Sequence, residues 1–232
     1  MKVVERHSVA PPPGSVPSTT LPLSFLDILW LVVKPVQRTF LYRLPSLSTP
    51  HFLQNILPNL KHSLSLALLH FFPVAVSIVF HWDQPGSRPY IHYEEGYSVA
   101  LTVGESDKDF DLLVNRDGEM IDDAILRELV PCLSAADQVP LFAVQMTVFP
   151  SRGICVGIAY KHALGDGRSV MNFMNTWSSI CRSSGALPPL PVLDRSLVTD
   201  PSGVLQDILL QQLKSLPQPS FFDKVDRPVL AK

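Results

Sequence analysis

Two apolar runs joined by a short turn constrain the fold of this chain most strongly. The runs cover residues 141–149 and 154–160, and Pro150-Ser151-Arg152-Gly153 lies between them. Apolar runs of this length predict buried strands, and a short Gly-containing connection between two of them predicts a β-hairpin. We therefore expect a buried antiparallel pair of strands in the core.

A histidine follows the second run directly. Residues 160–169 read Tyr-Lys-His-Ala-Leu-Gly-Asp-Gly-Arg-Ser, so His162 and Asp166 share a loop with Gly165 and Gly167. Apolar residues then recur at the spacing of a helix, at Val170, Phe173, Met174, Trp177, Ile180 and Cys181. The pattern predicts a strand, a tight loop and an amphipathic helix, with the imidazole at the rim of a cavity.

An imidazole held in such a loop can act as a general base. Its unperturbed pKa lies near ~6.5, and a positioned base of this kind contributes roughly 10²–10⁴-fold in rate. Asp166 is the nearest acid that could orient the ring of His162, but it could equally cap the loop or pair with Arg168 or Arg195. For an isolated His near an Asp, a structural role is the more common one.

Together with the rest of the chain, this pattern resembles the plant BAHD acyltransferases, which transfer an acyl group from a coenzyme A thioester to a hydroxyl or amine. Besides the His162–Asp166 motif, the resemblance is carried, in the family's order, by residues 21–27, 51–75, 98–103 and 193–203. Residues 21–27 look like the family's opening strand, and residues 51–75 like its first long helix and the following turn. The branch it resembles most acylates anthocyanin and phenolic glucosides, often with malonyl groups.

The resemblance implies an α/β fold with a chloramphenicol acetyltransferase-like mixed sheet and flanking helices, as one of the two family domains. Residues 1–20 would be a Pro/Ser-rich N-terminal segment and residues 21–185 the N-terminal acyltransferase domain. Residues 186–232 would form a Pro-rich crossover that leads toward a second domain.

The resemblance also implies a mechanism. His162 would deprotonate the acceptor hydroxyl at the centre of a channel and then protonate the departing coenzyme A sulfur. Asp166 would point away from the channel and hold the loop through an arginine, and Gly167 would keep the backbone beside the site free of a Cβ. Arg168 would pair with Asp166 or bind the carboxylate of a malonyl donor. The expected substrates are an acyl-CoA, of malonyl or hydroxycinnamoyl type, and a phenolic or anthocyanin glucoside, with no bound cofactor or metal.

Three departures from the family pattern qualify this reading. Val76 stands where the family turn ends in Gly, and Lys161 stands where condensation domains carry a second His. The chain also ends at Lys232, without the family's Asp-Phe-Gly-Trp-Gly motif. It is therefore expected to be the N-terminal half of an enzyme. The alternative function is a truncated, non-catalytic relative that at most binds acyl-CoA or a full-length relative. The exposed face meant for the second domain would favour self-association in either case.

Composition narrows the remaining classes. The chain is 46% apolar and 17% charged, with a net charge of −2, so a packed core is expected and nucleic acid is not an expected partner. The start lacks the pattern of a signal peptide, and residues 25–33 are too short to span a membrane, so a cytoplasmic protein is expected. Cys132, Cys155 and Cys181 are expected to be reduced, buried thiols.

Other candidate sites have simpler explanations. His62 and His70 lie on a predicted helix with Thr49 as N-cap and a kink at Pro58, and they lack a third metal ligand. Two further polar clusters fit strand ends and edges, at His81-Trp82-Asp83 and at His92, Glu94 and Glu95. No Gly-x-Ser-x-Gly elbow is present, which disfavours an esterase-type hydrolase built on Ser169.

Overall fold

The computed structural model describes residues 1–80, 87–114, 123–133, 139–183 and 187–215. The His81-Trp82-Asp83 cluster and the turn predicted at residues 83–86 lie outside the described residues. So do the predicted domain boundary between residues 185 and 186 and the polar tail beyond residue 215.

The described residues alternate between strands and helices. The strands are β1 (Lys2–Val9), β2 (Thr19–Pro22), β3 (Val36–Arg43), β4 (Ser77–Val79), β5 (Tyr90–Tyr93), β6 (Val99–Glu105), β7 (Val139–Pro140), β8 (Phe142–Phe149) and β9 (Gly153–Tyr160). The α-helices are α1 (Phe25–Leu31), α2 (Thr49–His51), α3 (Leu57–His70), α4 (Phe110–Val114), α5 (Asp123–Glu128), α6 (Gly167–Cys181) and α7 (Val204–Ser215).

The central sheet is mixed and has the strand order β1-β6-β8-β9-β3. Strands β6 and β8 run parallel, whereas β8 and β9 form the antiparallel hairpin that the sequence predicts, with Phe142 opposite Tyr160 and Phe149 opposite Gly153. Every residue of β8 and β9 is buried. This pattern requires cover on both faces of the sheet, and it explains why both strands are almost continuously apolar.

Helices α3 and α6 pack against one face of this sheet. Their apolar residues form one core with alternate residues of β8 and β9, including Phe142, Val144, Met146, Ile158, Phe173 and Trp177. The opposite face is covered by Phe110, Leu113 and Leu129, which contact Phe149 and Cys155. The alternation follows from the two-residue period of a strand. The expected mixed sheet with flanking helices is confirmed.

A second, smaller sheet has the order β2-β5-β4-β7. The pairing of β4 with β5 is antiparallel, as predicted for residues 77–80 and 90–93. Its apolar residues join those of α1 and α7 in a separate core that includes Leu23, Ile28, Ile91 and Leu213. Because Ala163 belongs to this core as well, the loop that carries His162 lies where the two cores meet.

The N-terminal region differs from the expectation based on composition. Lys2–Val9 is strand β1, antiparallel to β6, although Pro and Ser dominate the following residues. Its side chains alternate between exposed and half-buried positions, so a polar sequence gave little sign of a strand. The opening strand expected at residues 21–27 is wrong beyond Pro22, because Ser24 and Asp27 form a capping box that begins helix α1.

Two helix features also differ from their predictions. Ser48, not Thr49, is the N-cap of α2, and its hydroxyl accepts the amide of His51 at 3.3 Å. The irregularity expected at Pro58 lies one turn earlier, as a π-helical turn over Phe52–Ile56. The helix runs without a break from Thr49 to His70, so Pro58 lies inside it, and the wide turn directly before the proline accommodates its missing amide hydrogen.

The cysteines lie in three different environments. Cys155 is fully buried, and burial raises the pKa of its thiol to about 12. Cys181 is half-buried, and Cys132 is exposed, so the expectation of three buried thiols is wrong for Cys132. Among the helices of the described ranges, none is long and apolar enough to cross a membrane.

Candidate active site

The turn that carries His162 is anchored to the end of strand β9. The amide of Lys161 donates to the carbonyl of Leu141 at 2.9 Å, which continues the pairing of β8 and β9 by one step. His162 then opens a 3₁₀ turn over His162–Leu164, closed by the amide of Gly165 on the carbonyl of His162 at 3.2 Å. Helix α6 begins at Gly167. The predicted order of strand, loop and helix is confirmed, with His162 half-buried.

Asp166 is the N-cap of α6. Its Oδ1 accepts the backbone amide of Ser169 at 2.7 Å, which satisfies one of the free amides at the helix start. This hydrogen bond is the main cause that lowers the pKa of Asp166, and the charges of His162 and Arg168 lower it further. Of the roles left open by the sequence, capping is the one that the geometry provides.

Arg195 holds the His162 turn, but not through Asp166. Its guanidinium donates to the carbonyls of Ala163 at 3.1 Å and Leu164 at 3.2 Å, and its carboxylate partner is Asp27, at 2.7 Å. Among the described residues, Asp166 forms no salt bridge with an arginine, so the expectation that it holds the loop through an arginine stays a prediction. Asp166 faces outward to cap α6, whereas Asp27 reaches the guanidinium from helix α1.

Trp30 covers one face of the His162 ring. The two ring centroids are 4.1 Å apart and the ring planes differ by 18°, which is a stacked arrangement. Among the residues that the structure describes, none forms a hydrogen bond with this imidazole. Stacking therefore takes the orienting role for which the sequence offered only Asp166.

The two glycines of the loop have unequal roles. A Cβ at Gly165 would lie 2.9 Å from the Cβ of Ser169, closer than packed carbons tolerate. A Cβ at Gly167 would meet only the Nη2 of Arg38, at an ordinary 3.7 Å. The close approach within the chain that favours glycine is therefore at Gly165, and the role expected of Gly167 beside the site stays a prediction.

Lys161 connects the same turn to the end of α1. Its side chain is only 4% exposed, and its Nζ donates to the carbonyl of Val33 at 3.2 Å. Burial lowers the pKa of this amine, because the charged form loses hydration. The residue that distinguishes the loop from those of condensation domains thus serves as a strap between strand β9 and α1.

A cavity of about 290 Å³ lies beside the loop. Leu164, Gly165 and Ser169 line it from the loop, and the Asp27–Arg195 pair forms part of its polar wall. Three aromatic residues line its apolar wall, namely Phe71, Phe142 and Phe173. Among the described residues, His162 is not one that lines this cavity, so the imidazole expected at a cavity rim is not confirmed for it.

His92 and its acidic neighbours do not form a second candidate site. His92 contacts Thr20 Oγ1 at 2.9 Å and Glu94 at 3.0 Å along strand β5, as expected for a polar strand position. Within the described ranges, no cluster of His, Cys, Asp or Glu has the geometry of a metal site. Asp27 and Trp30 were the site residues that sequence reasoning missed. The Ser24-x-x-Asp27 pattern was a usable sign of the helix that presents them.

Comparison with known proteins defines the class. The model of the Transferase family matches residues 2–225. A coumaroyl-CoA:anthocyanidin 3-O-glucoside coumaroyltransferase of Arabidopsis thaliana is 38% identical over 219 residues, 88% of this chain and 46% of that protein. A malonyl-coenzyme:anthocyanin 5-O-glucoside malonyltransferase of Salvia splendens is 37% identical over 222 residues, 89% of this chain and 47% of that protein. The chain belongs to the Transferase family, that of the BAHD acyltransferases.

A third relative, phenolic glucoside malonyltransferase 1 of Nicotiana tabacum, is 35% identical over 87% of this chain and 46% of its own length. The chain thus spans about half the length of these curated relatives. Among solved structures, vinorine synthase matches with a TM-score of 0.62 and 22% identity, over 83% of this chain and 45% of that one. This likeness supports the fold alone, and that fold is the chloramphenicol acetyltransferase-like one expected from the sequence.

Proposed function

We propose that this chain carries the catalytic base of an acyltransferase that moves an acyl group from acyl-CoA to a hydroxyl of a phenolic or anthocyanin glucoside. The observation that carries the proposal is the placement of His162. Its turn, between a buried strand and a capped helix, is held by Arg195 through the carbonyls of Ala163 and Leu164, and its ring is stacked on Trp30. Relatives named for this chemistry are 35–38% identical to the chain.

In the proposed reaction, a ring nitrogen of His162 accepts the proton of the acceptor hydroxyl as its oxygen attacks the thioester carbonyl. The tetrahedral intermediate collapses, the C–S bond breaks, and the imidazolium returns the proton to the coenzyme A sulfur. The histidine acts first as base and then as acid, so no covalent acyl-enzyme is required. No metal or resident cofactor takes part in these steps.

The proposed donors are malonyl-CoA and a hydroxycinnamoyl-CoA, since the named relatives include enzymes of both kinds. Arg168 lies in the first turn of α6 with an exposed side chain and forms no salt bridge with Asp166 in the described structure. A guanidinium in that position suits the free carboxylate of a malonyl donor better than an uncharged coumaroyl group.

A second candidate is a non-catalytic, self-associating relative. Apolar side chains are exposed on α1, on α7 and on the segment before α7, including Leu26, Leu29, Val192, Leu197, Val204 and Leu205. Such a surface favours association with a second domain or with another copy of the chain.

A cytoplasmic location remains a prediction from the sequence.

Free thiol release from malonyl-CoA and from coumaroyl-CoA, each with a phenolic glucoside acceptor, tests the proposal. We expect acceptor-dependent release by the purified chain, loss of that release in His162→Ala, and retention in the matched control His62→Ala, whose histidine is exposed on α3. A folded chain that releases no thiol with either donor, and that elutes as a dimer or larger, would favour the non-catalytic candidate.

A further inference from the structure

Helix α1 is linked to the His162 turn at both of its ends. Near its start, Asp27 pairs with Arg195, which in turn donates to the carbonyls of Ala163 and Leu164. Just beyond its end, the carbonyl of Val33 accepts the Nζ of Lys161. Between these two links, Trp30 stacks on the ring of His162.

These contacts form a closed circuit between helix α1 and the His162 turn. Asp27 and Trp30 are three residues apart, so they lie on the same face of α1. Asp27 binds Arg195, and Arg195 binds the backbone of the turn. The imidazole of the same turn stacks on Trp30, which returns to Asp27 along helix α1. Because α1 is a rigid element, fixing the helix fixes the backbone and the ring of His162 together.

The geometry of the Asp27–Arg195 pair is fixed by burial and by further hydrogen bonds. The two side chains are only 15% and 16% exposed, so the pair is largely shielded from water and salt. Asp27 also accepts the amide and the hydroxyl of Ser24, at 2.8 and 2.7 Å, so its carboxylate is oriented by α1 as well as by the arginine. The guanidinium serves three acceptors in a planar fork, which a lysine ammonium cannot reproduce with the same geometry.

We propose that Arg195 and Trp30 are positioning residues for His162, with Arg195 fixing the turn and Trp30 fixing the ring. This inference rests on the proposed function only for its kinetic consequence. A base displaced by about 1 Å loses up to about 10²-fold in rate, while substrate binding by other residues is unaffected. The effect should therefore fall on kcat and not on KM.

The test measures His162 directly as well as through turnover. Carbethoxylation of each histidine by diethyl pyrocarbonate is followed by peptide mass spectrometry in wild type, Arg195→Lys, Trp30→Leu and Trp30→Phe. We expect His162 to react several-fold faster in Arg195→Lys and Trp30→Leu, with the reactivity of exposed His62 unchanged. Trp30→Phe keeps an aromatic face and should restore the slow rate. The matched control is Arg88→Ala, which removes an exposed ion pair with Asp207 and none of the contacts of the His162 turn named above.

Steady-state kinetics of the same variants then distinguish failure of this inference from failure of the proposed function. With measurable transfer, Arg195→Lys and Trp30→Leu should lower kcat by about 10- to 10²-fold at nearly constant KM. Absence of transfer, both by the chain alone and by the chain joined to the C-terminal half of a relative, would contradict the proposed function and leave the chemical modification result standing. Unchanged His162 reactivity in Arg195→Lys and Trp30→Leu, with near-native circular dichroism, would overturn the positioning roles.

Discussion

The carboxylate of Asp166 accepts the backbone amide of Ser169 at 2.7 Å, so the acid of the His-x-x-x-Asp motif caps helix α6. The histidine of the same motif stacks on Trp30, which comes from a different helix. The two residues of the motif therefore act through different partners. Asp166 caps the helix that follows the loop, and His162 is the proposed base.

Replacing the cap should cost stability in proportion to the lost hydrogen bond. We expect Asp166→Ala to lower the free energy of unfolding by about 1 kcal/mol, and Asp166→Asn to cost much less because its amide oxygen can accept the same bond. Urea denaturation at neutral pH measures both. Equal losses in the two variants would show that the charge of Asp166, not its capping bond, supplies the stability.

The lowered pKa of Asp166 gives its contribution a pH dependence. The stabilisation is fully present above the pKa that this carboxyl has in the unfolded chain, about 3.9, and is lost as pH falls through the lower folded-state value. Wild type should therefore lose stability faster than Asp166→Asn below about pH 4. Urea denaturation of both proteins from about pH 6 to pH 3 tests this, and a pH-independent difference would contradict it.

The two loop glycines should respond differently to alanine. Gly165→Ala places a Cβ 2.9 Å from the Cβ of Ser169 and should lower the free energy of unfolding by about 1–3 kcal/mol. Gly167→Ala meets only ordinary contacts at the start of α6 and should be neutral or slightly stabilising, since alanine favours helices. Thermal denaturation compares the pair, and a larger loss at Gly167 would contradict the geometry.

Arg168 should discriminate between donors. If its guanidinium binds the malonyl carboxylate, Arg168→Ala should raise KM for malonyl-CoA by about tenfold or more while leaving coumaroyl-CoA nearly unaffected. Steady-state kinetics with both donors and one acceptor provide the measurement. A similar loss with both donors would place the residue outside donor recognition.

The cysteines should differ sharply in reactivity. Burial raises the pKa of Cys155 to about 12, so the reactive thiolate is scarce and shielded in the folded chain, whereas Cys132 is exposed. Iodoacetamide at pH 8 should label Cys132 within the time that leaves Cys155 unmodified, as followed by peptide mass spectrometry. Cys155 should become labelled in denaturant, and equal labelling of the two in native buffer would contradict the packing.

The parts of the fold that the sequence predicted are those set by local periodicity. The hairpin of β8 and β9, the helix α6 and the loop between them follow from apolar runs, turn residues and helical spacing. Strand β1 was not predicted, because its polar residues alternate between exposed and half-buried positions at a sheet edge. The π-helical turn before α3 escaped because the effect of Pro58 on the preceding turn depends on how that turn packs.

The candidate site was predicted only in its two central residues. His162 and Asp166 stand out within one loop, but the contacts that orient the histidine come from Trp30, Asp27 and Arg195, which lie far away in the sequence. Asp166 had several partners nearby, and only the fold decided between them. Contacts between residues that are distant in the sequence produce no regular sequence spacing from which they could be predicted.

The proposed role of His162 as the base of an acyl transfer can be tested in a two-domain protein, made by joining this chain to the C-terminal half of the Salvia splendens relative. The quantity to measure is the rate of malonyl transfer to a phenolic glucoside. We expect His162→Ala to lower kcat by roughly 10²–10⁴-fold in this protein while the fold, by circular dichroism, is unchanged. A variant that keeps kcat within a few-fold of wild type would contradict it.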